Sequence, residues 1–196
     1  MNSLLSLEEV MVITGNTSGI AALQDIEAKA LYDCCLSVPR NGLVVEVGCQ
    51  LGRSSTLINQ MALSIGFHDI HIDPWTEQPG WMKEWMETMY KVGGHRDHAF
   101  SVLCMRTEQA KEIISRLGPI DFAYIDGDHE KDSALIDLHY VAQMVRSGGY
   151  LAVHDYDPVS YPDYSFPGVV EAMREYLDNT WEEVGVYNNM GVWRRK

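Results

Sequence analysis

Two rhythms of apolar and polar positions divide this chain. Short apolar runs, rich in β-branched residues, stand at Leu43 to Val47, Ile70 to Asp73, Ala99 to Met105, Asp121 to Ile125 and Tyr150 to Val153, and they read as buried strands. Between them the spacing changes to three and four. Arg53 to Ile65, with Leu57, Ile58, Met61, Ala62 and Ile65 on one face, predicts a helix that Gly66 closes. Glu77 to Val92, Thr107 to Leu117 and Lys131 to Val145 read as further helices, stopped by Gly93-Gly94, Gly118-Pro119 and Ser147-Gly148-Gly149. Ahead of the first strand, Ser3 to Val12 and Ile20 to Leu36 have helical spacing around the turn formers of Thr14 to Gly19. Behind the fifth strand, a proline-dotted loop leads to a helix at Val169 to Leu177. Trp181 to Tyr187 and Met190 to Arg194 then predict an antiparallel pair around Asn188-Asn189.

Strands that alternate with helices need crossover connections, so the prediction is a single α/β domain over residues 1–196. Its core is a Rossmann-like, seven-stranded, mostly parallel sheet with helices on both faces and a C-terminal antiparallel hairpin. Residues 1–40 form a helical leader, and 74–98, with Trp81, Met82, Trp85, Met86 and Met89, is either a core helix or a lid. Ligands of such sheets bind beyond the carboxyl ends of the strands. Those ends carry Gly48 to Gly52, Asp73, Arg106, Asp126 to His129, and His154 to Asp157.

Composition narrows the partners. A chain of 196 residues, 46% hydrophobic and 22% charged, can bury a substantial core without disulfides. Its net charge of −13 repels phosphate backbones and anionic membranes, which excludes nucleic acid and membrane as the expected partners. Cys34, Cys35, Cys49 and Cys104 show no C-x-x-C pair and read as reduced thiols. With no signal peptide and no apolar run of spanning length, a soluble cytoplasmic protein is expected.

The stretch Leu43 to Ser55 organises the rest. It reads as strand, glycine turn and helix start, and a plain strand-to-helix turn is the simplest account of it. Asp73 ends the next strand, where an acid can accept hydrogen bonds from both hydroxyls of a ribose. A dinucleotide fingerprint would need glycines where Gln50 and Arg53 stand, and a P-loop would need a lysine after its second glycine.

The pattern Glu46-x-Gly48-x-x-x-Gly52 with Asp73 resembles the first motifs of the class I S-adenosylmethionine-dependent methyltransferases. The run Asp121 to His129, followed by Gly148 to Tyr156, looks like the small-molecule branch related to macrocin O-methyltransferase and the cephalosporin-hydroxylase-like proteins. The resemblance covers roughly residues 43 to 156. It implies S-adenosylmethionine as cofactor, held by Glu46, Gly48, Cys49, Gly52, Ser54, Asp73, Trp75, Arg106 and Asp126. The Gly48 to Gly52 loop would lie beside the methionine part, Asp73 at the ribose, and Arg106 with Thr107 beside the adenine. Arg106 departs from the acid that many members carry there. Glu130-Lys131-Asp132 departs from the small and aromatic residues that often follow the histidine, so that loop faces a different acceptor or none.

Methyl transfer from a sulfonium needs an aligned acceptor and a base for its proton. His129 and His154, beside Asp155, are the candidates for catalysis. Some relatives bind a divalent ion at equivalent positions, here Asp126, His154 and Asp155. Imidazole in place of a carboxylate should weaken magnesium binding or shift the preference toward manganese or another transition ion. The expected activity is O-methylation of a small-molecule hydroxyl on a sugar, natural product or other metabolite. The alternatives are a hydrolase or hydroxylase on the same fold, for which no G-x-S-x-G elbow appears, a nucleic-acid methyltransferase, and a non-catalytic cofactor-binding or assembly protein. Trp75, Trp81, Trp85, Tyr156, Tyr161, Tyr164 and Phe166 offer stacking surfaces for a ring, or else core and homo-oligomer contacts.

Overall fold

The first strand, β1 (Leu43–Val47), is buried at all five positions, as a central parallel strand must be. In the computed structural model, which describes residues 4–15, 23–76, 78, 80–91, 100–163 and 165–196, it lies inside a seven-stranded sheet. The other strands are β2 (His68–Ile72), β3 (Ser101–Leu103), β4 (Ile120–Ile125), β5 (Val145–Val153), β6 (Trp181–Tyr187) and β7 (Met190–Arg195), in the order β3-β2-β1-β4-β5-β7-β6. β1 to β5 run parallel, and β7 pairs antiparallel with both β5 and β6. The sheet and hairpin agree with the sequence expectation.

Alternation along the strands sends side chains to opposite faces. Val45, Val47, Ala123 and Ile125 point into a core closed by α5 (Thr107–Leu117), α6 (Lys131–Tyr140) and α7 (Pro167–Tyr176). Val44, Phe122, Tyr124 and Ala152 point the other way, under α1 (Leu7–Gly15), α2 (Asp25–Leu36) and α3 (Arg53–Ile65). α4 (Trp81–Lys91) closes a smaller cluster in which Trp85 and Met89 pack with Cys49 and Trp75. Among the described residues, no helix is long and apolar enough to cross a membrane.

Several boundaries differ from the sequence reading. The leader helices are Leu7–Gly15 and Asp25–Leu36, so Leu4 to Ser6 and Leu23-Gln24 stay outside the helices predicted at Ser3 to Val12 and Ile20 to Leu36, and the first runs on past Val12; Ser3 and residues 16–22 lie outside the described residues. Of the third strand expected at Ala99 to Met105, Ser101–Leu103 is strand and Phe100, Cys104 and Met105 are not; Ala99 lies outside the described residues. The largest correction is at 141–149. The helix expected to run to Val145 ends at Tyr140, a 3-10 turn follows at Ala142–Met144, and β5 already begins at Val145.

Tertiary pairing decides that correction. Val145 pairs with Ile120, and Arg146, next along β5, places Nε 2.5 Å from Oδ1 of Asp121. The other oxygen of Asp121 accepts the Leu43 N–H at 2.8 Å, tying β1 to the start of β5. The register then slips between Ile120 and Phe122. Gly149 lets the chains approach there, since a Cβ on it would stand 2.7 Å from the Asp121 carbonyl oxygen.

Candidate active site

The carboxyl ends of β1, β2, β4 and β5 surround one cavity. It is lined by Gly48, Asp73, Trp75, Arg106, Asp126, His129, His154 and Asp155 of the residues expected from sequence. Backbone hydrogen bonds carry the ladder past the strand ends and hold the rim together: Gly48 N–H donates to Ile72 O, Asp126 N–H to Val47 O and His154 N–H to Ile125 O, at 2.8 to 2.9 Å. Gly48 has φ 82°, and a Cβ there would lie 1.9 Å from the Asp126 carbonyl oxygen. Only glycine allows β1 and β4 to open into the cavity at this spacing.

Asp73 shapes the glycine loop. Its Oδ2 accepts the N–H groups of Cys49 at 2.8 Å and Gln50 at 3.0 Å, and its Oδ1 accepts that of Trp75 at 2.6 Å. A carboxylate has about four acceptor positions, so one remains for a ligand hydroxyl. The Trp75 indole N–H closes the ring by donating to Gln50 O at 3.0 Å.

Glu46, Cys49, Gly52 and Ser54 do not line the cavity; they support its floor. Glu46 is fully buried and accepts from Ser54 Oγ, from Ser55 Oγ at 2.6 Å, and from Nδ1 of His71 at 2.5 Å. Nε2 of His71 faces Asp69 Oδ2 at 3.0 Å, which also accepts from Asn59 Nδ2. Burial alone would lower the pKa of this imidazole, but the two carboxylates outweigh it and raise it to about 9. Both ring nitrogens are occupied, and the Ser55 hydroxyl accepts the Trp85 indole N–H at 2.9 Å above them. The Cys49 thiol is buried against Ile72 O, and burial pushes its pKa well up, so it is an inert packing group. Trp85 Cδ1 would be 3.0 Å from a Cβ at Gly52.

At the other rim, acids and imidazoles collect. His154 is only 6% exposed, with Nδ1 3.4 Å from Asp126 Oδ1 and 3.3 Å from Asp155 Oδ2, and Nε2 3.6 Å from Glu27 Oε2. These are ion-pair contacts; neither nitrogen has an aligned hydrogen bond. Burial disfavours its cation, yet the three carboxylates raise its pKa to about 12. Asp126 is pushed up by burial, against the pull of His154, and accepts the Tyr124 hydroxyl at 3.1 Å. His129 is more open, stacked on Phe166 at 4.1 Å between ring centres, with Nε2 2.8 Å from Asp155 Oδ2. Asp155 stands at φ 54°, a strained conformation held by Asn189, whose Nδ2 donates to Oδ1 at 2.8 Å.

The cluster Asp126, His154 and Asp155 brings one possible ligand atom from each residue within 4.8 Å. The buried, unaligned Nδ1 of His154 facing two carboxylates fits a divalent transition ion. Of the aromatic residues, Trp75 and Trp81 line the cavity, whereas Trp85 and Tyr156 belong to the cores. Tyr161 lies against Arg174, and Tyr164 is outside the described residues.

Sequence reasoning missed Thr76, Ser133 and Asp137 in the lining, and Glu27 behind it. Asp137 left a signal: it stands three residues after Ala134 and four before Val141, on the buried face of α6. Burial raises its carboxyl to about 7, partly offset by Thr107. Glu27 left none, because only folding brings α2 to the end of β5.

Known proteins share this fold. A family model described as a methyltransferase domain matches residues 45–156. An O-methyltransferase from Bacillus cereus in complex with SAH is 14% identical with a TM-score of 0.67, over 97% of this chain and 90% of that chain. TomG, an O-methyltransferase from Streptomyces achromogenes involved in tomaymycin synthesis and in complex with SAM, is 15% identical with a TM-score of 0.65, over 97% and 89%. A putative rRNA methylase from Clostridium thermocellum is 12% identical with a TM-score of 0.63, over 86% and 96%.

Proposed function

From the premise that this chain belongs to the methyltransferase-domain family, as an S-adenosylmethionine-dependent class I enzyme, we propose that it O-methylates a small-molecule hydroxyl in the cavity beyond β1, β2, β4 and β5. One observation carries the reading: a glycine loop closed by Asp73 stands across the same cavity from the Asp126, His129, His154 and Asp155 cluster. The cofactor supplies an activated methyl group when bound. Gly48 and Gln50 would wall its methionine part, the remaining acceptor position of Asp73 would take a ribose hydroxyl, and Arg106, Thr107 and Asp137 would border the base. Trp75, Thr76 and Trp81 would cover it. Trp85 and Met89 anchor the rest of α4 in the core, so among the described residues of 74–98 the covering role would fall to Trp75, Thr76 and Trp81.

His129 is the better base, since its ring is the more open to the cavity, although its Nε2 is buried in an ion-pair contact with Asp155 that lacks an aligned hydrogen bond. His154 is held between three carboxylates and would serve as a fixed positive group or, once deprotonated, would hold a divalent ion with Asp126 and Asp155. That ion would position the acceptor oxygen. TomG and the Bacillus cereus protein are both O-methyltransferases, which supports oxygen as the acceptor atom. The net charge of −13 argues against an RNA acceptor of the kind named for the Clostridium thermocellum protein.

Calorimetry with S-adenosylmethionine, followed by a screen of hydroxylated metabolites for S-adenosylhomocysteine formation, tests the reading. Binding plus turnover on a hydroxyl is the expected result. No cofactor binding, or turnover only on amines or RNA, overturns it.

A further inference from the structure

His154 is reached from three parts of the chain. Glu27, on α2 and outside the span of the family match, is fully buried and directs Oε2 at Nε2 of His154, 3.6 Å away. Its carboxylate is fixed from two further sides: the Gln24 N–H donates to Oε2 at 2.6 Å, and Asn188 Nδ2 in the β6–β7 turn donates to Oε1 at 2.8 Å. Burial of a carboxylate is costly without such partners. A capping-box glutamate needs only the Gln24 contact. The Asn188 and His154 contacts, from segments far away in sequence, are not explained by capping.

We propose that Glu27 is the positioning residue of His154: its buried carboxylate, an ion-pair partner 3.6 Å from Nε2 without an aligned hydrogen bond, holds that edge of the ring and so keeps Nδ1 turned toward Asp126, Asp155 and the cavity. Opposite charges this close and shielded from water attract strongly enough to hold the ring's orientation without a hydrogen bond. Asn188 and Asn189 extend the arrangement, because one turn holds Glu27 through the first and Asp155 through the second. The leader helix and the C-terminal hairpin thus complete a site whose other residues lie within the matched span. This inference rests on the cavity being the methyl-transfer site.

The test is a long-range 1H–15N spectrum of the histidine rings in the 15N-labelled full chain, with His154 identified from the signals lost in His154→Gln. In the unsubstituted chain the His154 Nε2 proton should exchange slowly. Glu27→Gln should speed its exchange by about tenfold or more and move the His154 ring nitrogens, while the His68 and His139 signals stay in place. A glutamate that only caps α2 would leave the His154 signals unchanged, and that result overturns the proposal. If Glu27→Gln does not fold, Asn188→Ala, which keeps Glu27 and releases Oε1, should shift the same signals in the same direction; unshifted signals again overturn it. Calorimetry with S-adenosylhomocysteine on the unsubstituted chain separates the two readings. Absent binding with responsive His154 signals would remove the methyltransferase assignment and leave the positioning role.

Discussion

The Asp73 carboxylate holds the backbone N–H of Cys49 at 2.8 Å, joining the end of β2 to the glycine loop after β1. The same oxygen holds Gln50, so the acid expected to meet a ribose also builds the loop beside it. Asp73→Asn turns one oxygen into an NH₂ donor facing backbone donors. We expect S-adenosylmethionine affinity to fall about 10- to 100-fold with the fold retained, measured by calorimetry and circular dichroism. Unchanged affinity would show that Asp73 shapes nothing the cofactor uses.

Gly48→Ala should be far more damaging. The added methyl would overlap the Asp126 carbonyl oxygen, which is backbone, at a residue with φ 82°. Loss of several kcal/mol, or failure to fold, is the expected outcome of chemical denaturation.

The buried His71 links stability to pH. Its folded pKa, about 9, lies above the ordinary 6.5, so the stabilisation from Glu46 and Asp69 is complete below about 6.5 and disappears as pH rises toward 9. The unfolding free energy should fall by up to about 3 kcal/mol across that window. His71→Asn should flatten the dependence, and an equally steep curve in the variant would refute the assignment.

Asp137 has the opposite consequence for its own removal. Its carboxyl is raised to about 7, so ionisation in the folded state costs stability that grows from about pH 4 upward and levels off above 7. Asp137→Asn should therefore raise the melting temperature at pH 8 and leave it nearly unchanged at pH 4. The same substitution should weaken S-adenosylhomocysteine binding if the carboxyl borders the base.

His129 sets the expected pH profile of turnover. Asp155 outweighs burial and raises its pKa above 6.5, so the neutral, proton-accepting form is scarce at pH 6.5 and increases as pH rises. The methyl-transfer rate should climb from neutral into alkaline pH. His129→Asn should lose that climb, with cofactor affinity retained.

Chain order and periodicity were enough to determine the sheet, the hairpin and the rim. Strand carboxyl ends of a parallel sheet must share one edge, which brings Gly48, Asp73, Asp126, His129, His154 and Asp155 together without knowledge of packing. Spacing could not tell a cavity wall from its floor: Glu46 and Ser54 carry motif positions, yet their side chains turn into a buried network with His71. Nor could it place the start of β5, where pairing of Val145 with Ile120 and the Arg146 to Asp121 contact override a helical pattern. Glu27, Asn188 and Asn189 were decided by tertiary structure alone. Local periodicity reports which face of an element is buried, whereas the partner of a buried polar group is set by whichever distant segment packs against it.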